Sequence, residues 1–538
     1  LAQSQKVPDI EIAHQTNPNI KRLSLLFVLV IAILTFTVYF NGLSGPFLFD
    51  DIVLVKTNPL IKSLSNIPVF FKTDIFSHDP ASRNISSSYR PLQTVSYAVD
   101  SLMWGGDAFG FHLTNVLIHI FNALLVFFLL KKIFGDRYFA FFIALLFGIH
   151  PVNTQSVTYI SGRADLLSTM FSLLSLYAYV NYRKTQKTPF LWYSGIAFLA
   201  ALYSRETSGI VVPLLIALYE VVFMAEKARS FMLTNIIPYI AAFLLYLPMR
   251  GAALHNILPQ KLELAGIDMV SRVLTSLKTL FIDIRIIALP YDLHFGRSTG
   301  VERSIFTSPS AFVTAIGIVI AGYIVFICYK KWKASRGWTY GVILFGTLWF
   351  FMSMVPLLNI VPLQVFHSDS WLYMPSIGIY MIFFALLRLV WQSITRISRV
   401  LGVVVILFVS AAYLLYGYAT IKRNEDYKDE IKFYLSSVQW RPNVKFFMVI
   451  GGLYGQRGDY DAAVKYLRKA IETNEIYPSY EVIPAYYNLG ITYLKIAEYD
   501  KAREAFEKVM LSGSTSLKRE AEKHLQNIQS IKARFNPR

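Results

Sequence analysis

The sequence predicts an all-α membrane protein, a bundle of about eleven apolar helices followed by a small hydrophilic helical domain. Three observations lead there. Of 538 residues, 54% are hydrophobic and only 16% charged, with a mean hydropathy of +0.44, too apolar for a soluble globule and too long for a single anchor. Apolar runs of spanning or near-spanning length recur near 23–40, 112–130, 138–150, 166–182, 189–203, 209–224, 231–248, 310–328, 338–356, 372–390 and 399–418. Beyond residue 440 the composition turns hydrophilic and a spaced pattern repeats.

Residues 1–20 are polar without a signal-peptide pattern, so the first run is expected to be a retained helix behind a cytoplasmic tail, 1–22. The net charge of +18 falls largely in short connections and in the C-terminal tail. That is a positive-inside pattern plus a basic soluble domain, and no nucleic-acid partner is expected. Lys21-Arg22, Lys131-Lys132, Arg183-Lys184, Lys227 with Arg229, Lys330-Lys331-Trp332-Lys333 with Arg336, and Arg396 with Arg399 all fall on the cytoplasmic side. The segment Arg272 to Pro290 carries Lys278, Asp283 and Arg285, and a crossing there would move the 330–336 connection outside. It is read as interfacial or re-entrant, which places the C-terminal domain on the extracytoplasmic side. The single Cys328, inside an apolar run, excludes a disulfide framework, cysteine-based zinc and thiol catalysis.

The largest outward loop is 41–111. It opens with Phe49-Asp50-Asp51, two adjacent carboxylates without an evident partner in their own segment. One can serve as a base while the other orients a substrate or holds a divalent cation, Mg or Mn; the plain alternative is a helix cap or solvated loop charge. Leu60 to Phe71 mixes apolar and polar positions in a way that suits a helix on the membrane surface. Arg90, in Ser88-Tyr89-Arg90-Pro91-Leu92, could bind a phosphate with its planar fork or snorkel to lipid headgroups.

His112, Asn115, His119 and Asn122 form one polar stripe on the second helix, read as interhelical hydrogen bonding ahead of metal ligation. His150-Pro151-Val152-Asn153 ends the third run, and Gly162-Arg163-Ala164-Asp165 begins the fourth. Asp165 can pair with Arg163 or with an Arg from another loop. Ser204-Arg205-Glu206 follows the fifth, and Asn359, His367, Asp369, Trp371 and Tyr373 form the last outward cluster. Five outward loops with ionisable residues argue for one extracytoplasmic site. No P-loop, Rossmann fingerprint or HExxH is present, so no nucleotide or organic cofactor is expected.

In the tail, Ile450-Gly451, Tyr454, Gly458, Tyr460, Ala463, Leu467 and Ala470 recur as Leu489-Gly490, Tyr493, Ala497, Tyr499, Ala502, Phe506 and Val509. The pattern resembles the tetratricopeptide repeat, two copies plus a closing helix near 515–534, with extra length at Glu475 to Tyr480.

Phe49-Asp50-Asp51, Tyr89-Arg90-Pro91-Leu92, Gly110-Phe111-His112 with Asn115, His150-Pro151-Val152, Gly162 to Leu167 and Trp371 to Gly378 together resemble the transmembrane-and-tetratricopeptide-repeat O-mannosyltransferases of the GT-C superfamily. The resemblance implies a GT-C catalytic domain over 23–420, a linker at 421–439 and a repeat domain over 440–538. It also implies transfer of a mannose-like sugar from a polyprenyl-phosphate donor to a protein Ser/Thr hydroxyl, with Asp50 or Asp51 as base and Arg90, Arg163 and Arg205 on the donor phosphate. His112, Asn115, His150, Asp165, Glu206, His367, Asp369 and Tyr373 are further donor or substrate candidates. The repeats would recognise the acceptor polypeptide. Two departures stand out: Ser368-Asp369-Ser370 where the family reads Ala-Glu-Arg, and Gln155 where it has Glu after His-Pro-Val. The short array points to a bacterial or archaeal plasma membrane ahead of the endoplasmic reticulum. Two rivals are an O-antigen ligase or polymerase type of lipid-linked glycan transferase, and a non-enzymatic repeat scaffold or transporter. The early position of the large loop and the lack of paired halves weigh against them.

Overall fold

Each apolar run forms a helix in the computed structural model, which describes residues 18–79, 88–224, 235–254, 267–297, 300–304, 309–360, 363, 367–440, 442–476 and 482–535. Lys227 and Arg229, residues 1–17 of the tail, 80–87 of the first loop and 477–481 of the repeat spacer lie outside the described residues. In order, the helices of the membrane part are α1 (Pro18–Tyr39), α2 (Pro91–Trp104), α3 (Ala108–Phe134), α4 (Arg137–Ile149), α5 (Arg163–Thr185), α6 (Pro189–Ser204), α7 (Val212–Phe223), α8 (Ile237–Leu254), α9 (Met269–Ala288), α10 (Pro309–Ser335), α11 (Trp338–Met354), α12 (Ser376–Ile397) and α13 (Arg399–Asn424). Every regular element among the described residues is helical.

Among the described residues, eight helices are long and apolar enough to cross a membrane. Arg137–Ile149 with Pro151–Val157, bent by 50° where Pro151 interrupts the helix, makes a ninth. The expected eleven spans therefore come down to eight or nine by length and composition. α6 is apolar but only 16 residues long, and α5 carries Arg163, Asp165, Arg183 and Lys184. Partners hold three of those charges, Arg163 with Asp100, Asp165 with Arg205 and Arg183 with Glu220 of α7, as charged groups within a bundle must be held, whereas Lys184 is exposed.

Local chemistry sets the helix ends. Asp107 caps α3, accepting from the Phe109 N–H at 3.0 Å, and Gly135 ends it in the left-handed region at φ 71°. Asp136 then caps α4 through the N–H groups of Tyr138 and Phe139, both at 3.0 Å, so α3 and α4 form a tight antiparallel pair. α11 and α12 approach through Gly346 and Gly378, where an added Cβ on either would meet the other's carbonyl oxygen within 2.8 Å. Such close backbone approach suits helices whose association in lipid comes from packing rather than from a hydrophobic drive. α13 leaves all but 6% of its spanning window uncovered, with Leu407, Phe408, Leu414 and Leu415 outward.

The cationic connections meet at one end of the bundle. Lys131 donates to Ser24 Oγ at 3.2 Å, Lys184 to the Lys132 carbonyl at 2.7 Å, and Arg388 pairs with Asp136 at 2.7 Å. The described part of the first loop, the 150–165 and 204–206 connections, residues 357–360 and 367–376 and the end of α13 gather at the other end. α9 lies along this second end: Arg272 reaches the Ile360 carbonyl, Ser276 the Leu358 carbonyl, Asp283 meets His367, and the Ala288 carbonyl accepts from Tyr416. It does not run to the cationic end.

Two expectations are corrected here. Residues 60–71 do not form one surface helix but three short turns, Leu60–Lys62, Leu64–Asn66 and Ile67–Phe70, which bury Ile61 and Phe70. Pro59 and Pro68 and the Ser63 side chain, which caps the second turn, interrupt any continuous helix. The segment 421–439 is not a linker: α13 continues to Asn424, and α14 (Glu430–Val438) follows as part of the second compact unit.

That second unit comprises His294–Arg297 and Lys428–Arg538. α14 packs on α15 (Val444–Gln456), with the Tyr434 and Phe446 rings 5.3 Å apart. α15 pairs with α16 (Tyr460–Ile476), α17 (Val482–Lys495) pairs with α18 (Tyr499–Ser512), and α19 (Thr515–Phe535) closes the stack. The repeated glycines explain themselves. A Cβ on Gly451 would lie 2.5 Å from Leu467, and one on Gly490 would lie 2.8 Å from Phe506, at the corresponding place in each helix pair.

Candidate active site

The backbone leading to the acidic pair is unusual. Phe49 has φ 46°, a left-handed conformation for a bulky residue, and a single turn of π-helix, Ile52–Lys56, follows Asp51. Strain of this kind costs about 1–3 kcal/mol and persists only where neighbours fix it. Asp51 supplies the fixing contacts. Fully buried, it accepts from the Leu48 N–H at 3.1 Å, from the Ser161 N–H at 2.8 Å and from the Ser161 hydroxyl. Burial pushes its carboxyl up, the Ser161 and Leu48 bonds pull it back, Asp50 adds a smaller upward push, and the pKa stands at about 7.

Asp50 is only half-buried, and its backbone N–H donates to the Tyr159 hydroxyl at 3.1 Å. Burial, then the charges of Asp50 and Asp51, hold the Tyr159 phenol well above its ordinary range, so it stays neutral. The pair thus divides into an enclosed latch and a carboxylate that reaches the surface. The two residues do not form a two-carboxylate cation seat, because Asp51 is fully buried on its Leu48 and Ser161 donors and presents no face beside the half-buried Asp50; no group of three or more His, Cys, Asp or Glu side chains among the described residues is placed to hold a metal ion.

The connection that holds the pair through Tyr159 and Ser161 also carries Asp165. Asp165 pairs with Arg205 at 2.5 Å, receives a hydrogen bond from Ser370, and feels the charge of Arg90. Arg90 acts on Arg205 as well, and among the described residues it forms no ion pair of its own. Beside Arg205, Glu206 accepts from Arg250 Nε at 2.5 Å and from the Tyr246 hydroxyl at 2.6 Å. Ser370 is held by Ser368 at 3.1 Å, which in turn accepts from Gln155 at 3.1 Å. Asp50, Arg90, Arg205 and Glu206 are the partly exposed members.

Other sequence candidates lie within the framework, and their expected substrate contacts are corrected. Arg163 is fully buried and spends its donors inside: Nε on Asn115 at 2.7 Å, Nη1 on Asp100 at 2.6 Å, Nη2 on the Phe111 carbonyl at 2.8 Å. No edge is left for a phosphate, and the group clamps α2, α3 and α5 together. Asn115 further donates to the carbonyls of Val157 and Tyr159, and His112 bonds the Gly45 carbonyl at 3.1 Å. Tyr373 is 1% exposed, with its hydroxyl on His119 at 2.6 Å and Asn122 at 3.1 Å. His150 is buried, accepting from the Val152 N–H and lying 4.5 Å from the Tyr416 ring. These buried side chains, the polar stripe of α3 among them, join helices inside the bundle.

His367 and Asp369 are likewise buried, and they enclose a residue that sequence reasoning left out of the site. His367 Nδ1 lies 2.8 Å from Asp283 and Nε2 lies 2.9 Å from Asp369. Burial alone would push the imidazole down, but the two carboxylates outweigh it and hold its pKa at about 9. Asp283, Arg250, Asp100 and Ser161 were all missed as site or support residues. Asp283 had a signal, a carboxylate in an otherwise apolar segment; Arg250 had one too, a cation just past the outward end of an apolar run.

Residues 98–250 match a family model described as dolichyl-phosphate-mannose-protein mannosyltransferase, and residues 447–510 match a tetratricopeptide repeat. Protein O-mannosyl-transferase F38B6.6 of Caenorhabditis elegans is 27% identical over 467 residues, covering 84% of this chain and 63% of that protein. The chain is similar to protein O-mannosyl-transferases. Mouse protein O-mannosyl-transferase TMTC3 is 24% identical over 529 residues, covering 92% of this chain and 55% of that one, and mouse TMTC2 is 31% identical over 211 residues, covering 38% and 25%. The chain spans less than two thirds of the length of these O-mannosyl-transferases. An Archaeoglobus fulgidus oligosaccharyltransferase crystal structure, tethered to an acceptor peptide, superposes with a TM-score of 0.44 at 12% identity over 78% of this chain and 57% of that chain. The mannosyltransferase-type match takes in Arg163, Asp165, Arg205, Glu206 and Arg250, whereas Asp50, Asp51 and Arg90 precede it.

Proposed function

We propose that this multi-pass membrane protein is a GT-C-type glycosyltransferase that moves a mannose-like sugar from a polyprenyl-phosphate donor to a Ser/Thr hydroxyl of a protein. The reaction takes place on the extracytoplasmic side, where the repeat unit holds the acceptor polypeptide. One observation carries the reading: the single 150–165 connection anchors a surface-reaching carboxylate, Asp50, through Tyr159 and an arginine-rich seat, Arg90 and Arg205, through Asp165.

Asp50 accepts the proton of the acceptor hydroxyl as that oxygen attacks the anomeric carbon. The bond from that carbon to the phosphate oxygen breaks, and the electron pair leaves with the lipid phosphate. Arg90 and Arg205 hold the developing charge, with Asp165 fixing the Arg205 fork. Asp51 acts by holding the strained loop that presents Asp50. The carboxylate pair does not fit a two-ligand metal seat, and no step here uses a cation.

The test is transfer from polyprenyl-phosphate mannose to a Ser/Thr-rich acceptor pool by the purified full chain in detergent, with and without chelator. Asp50→Asn and Arg90→Ala are expected to lose transfer while melting like wild type, and chelator is expected to have no effect. Full activity in Asp50→Asn would sink the proposed base. Absence of transfer by wild type from a panel of lipid-phosphate sugars would sink the reaction class.

A further inference from the structure

We propose that Glu206, held in place by Arg250 and Tyr246, reads the hydroxyls of the donor's sugar and sets sugar specificity. The inference deepens the reading of the same site as one for a lipid-phosphate sugar, and rests on it.

Three groups converge on Glu206. Arg250 reaches both of its oxygens, Oε2 through Nε at 2.5 Å and Oε1 through Nη2 at 3.1 Å, and Tyr246 adds its hydroxyl to Oε2 at 2.6 Å. A carboxylate offers about four lone-pair positions, and three are filled. The side chain nevertheless stays 37% exposed, against 12% for Arg250. An ion pair that only staples the short turn Glu206–Gly209 to α8 has no need of this exposure. A group that accepts from an incoming hydroxyl needs both features, a fixed position and an open lone pair.

The surroundings suit a sugar joined to a phosphodiester. Arg205 and Arg250 pair with Asp165 and Glu206, and Arg90 acts on Asp165 and Arg205, so arginines line the part of the site that a phosphodiester would meet. Arg205 and Glu206 are consecutive, with Cα atoms about 3.8 Å apart. Tyr89, next to Arg90, also lies 6.0 Å from the Tyr246 ring that bonds Glu206, so the arginine seat adjoins the Glu206 cradle. An aromatic wall adjoins them: Tyr203 lies 5.6 Å from Tyr246, 6.0 Å from Tyr89 and 5.2 Å from Phe71, and of the three tyrosines only Tyr203 is not fully buried. A hexose presents hydroxyls at its edge and C–H groups on its face. Glu206 meets the first and Tyr203 the second.

The experiment is competition binding on the full chain in detergent, with short-chain polyprenyl-phosphate mannose, glucose and galactose and the sugar-free polyprenyl phosphate as probes. In Glu206→Gln, the preference of wild type for one sugar-bearing lipid over the sugar-free lipid should fall by about tenfold or more, because a site built to bond a hydroxyl discriminates strongly. Sugar-free binding should stay within about twofold, since the arginine seat is intact. Tyr246→Phe keeps every charge and loosens Glu206, so it should raise KM for the preferred donor with kcat little changed. Unaltered sugar preference in both variants would overturn the inference while leaving transferase activity standing. An equal loss for sugar-bearing and sugar-free lipids with a lowered melting temperature would also overturn it, making the pair a staple. A wild type that binds sugar-bearing and sugar-free lipid alike would defeat the underlying donor reading as well.

Discussion

Replacing Asp51 by Asn keeps the size of the side chain but turns an acceptor into an amide N–H₂ facing either the Leu48 or the Ser161 N–H donor. A buried donor left without an acceptor costs about 1–3 kcal/mol, so Asp51→Asn should lower the melting temperature of the full chain, whereas Asp50→Asn should melt like wild type and lose transfer. The reverse pattern would exchange the two roles. The Asp51 carboxyl also carries a pH signature. Its folded pKa, about 7, lies above the unfolded value, so the stability it contributes is complete in acid below the unfolded pKa and is lost as pH rises through about 7. Wild type should therefore lose melting temperature as pH rises from about 4 to about 7, and Asp51→Asn should flatten that slope. At this scale the sequence marks the right pair, yet it cannot divide the labour. The deciding partner, Ser161, is 110 residues away. Arg163 teaches the same point: its residue type suits a phosphate, and only its burial against Asp100, Asn115 and Phe111 shows that it holds helices.

Helices were legible because a spanning helix is written as a run of hydropathy, and all eleven runs are helical. Short polar-apolar mixtures were not, since the two prolines and the Ser63 cap in 59–68 decide locally against a helix that the composition allows. The Arg163 clamp predicts a large elemental effect. Arg163→Met leaves Asp100 buried and uncompensated where α2, α3 and α5 meet, and should cost about 3–5 kcal/mol, against little for Arg90→Ala, which forms no ion pair among the described residues. Melting of the two variants in detergent checks the contrast, and equal stability would refute the clamp. α9 gives a second prediction. It is tied to the 367–369 segment by His367, whose pKa is raised to about 9. The protonated form favours the fold, so this contribution is complete below the unfolded value, about 6.5, and is lost as pH rises through about 9. Amide exchange in residues 367–376 should accelerate between about pH 7 and 10 relative to the intrinsic rate, and His367→Asn should remove the step.

Across the whole molecule, the proposal depends on which end of the bundle meets which side of the membrane. The Lys131, Lys184 and Arg388 connections share one end, and the Asp50, Asp165 and Arg205 cluster shares the other. Positive charge is generally retained on the cytoplasmic side, so the cluster is expected outside. Single-cysteine labelling in intact cells decides it, because Cys328, the one native thiol, is buried and is removed as Cys328→Ala. Ser63→Cys, exposed in the first loop, should react with a membrane-impermeant maleimide from outside. Ser335→Cys, exposed at the last residue of α10 among the cations, should react only after lysis. Ser514→Cys, exposed between α18 and α19, should follow Ser63→Cys, since a repeat unit that recruits the acceptor must share a side with the site. Labelling of Ser335→Cys from outside would invert the topology and move the donor chemistry to the cytoplasm. Labelling of Ser63→Cys but not Ser514→Cys from outside would leave the site in place and remove the repeats from acceptor binding.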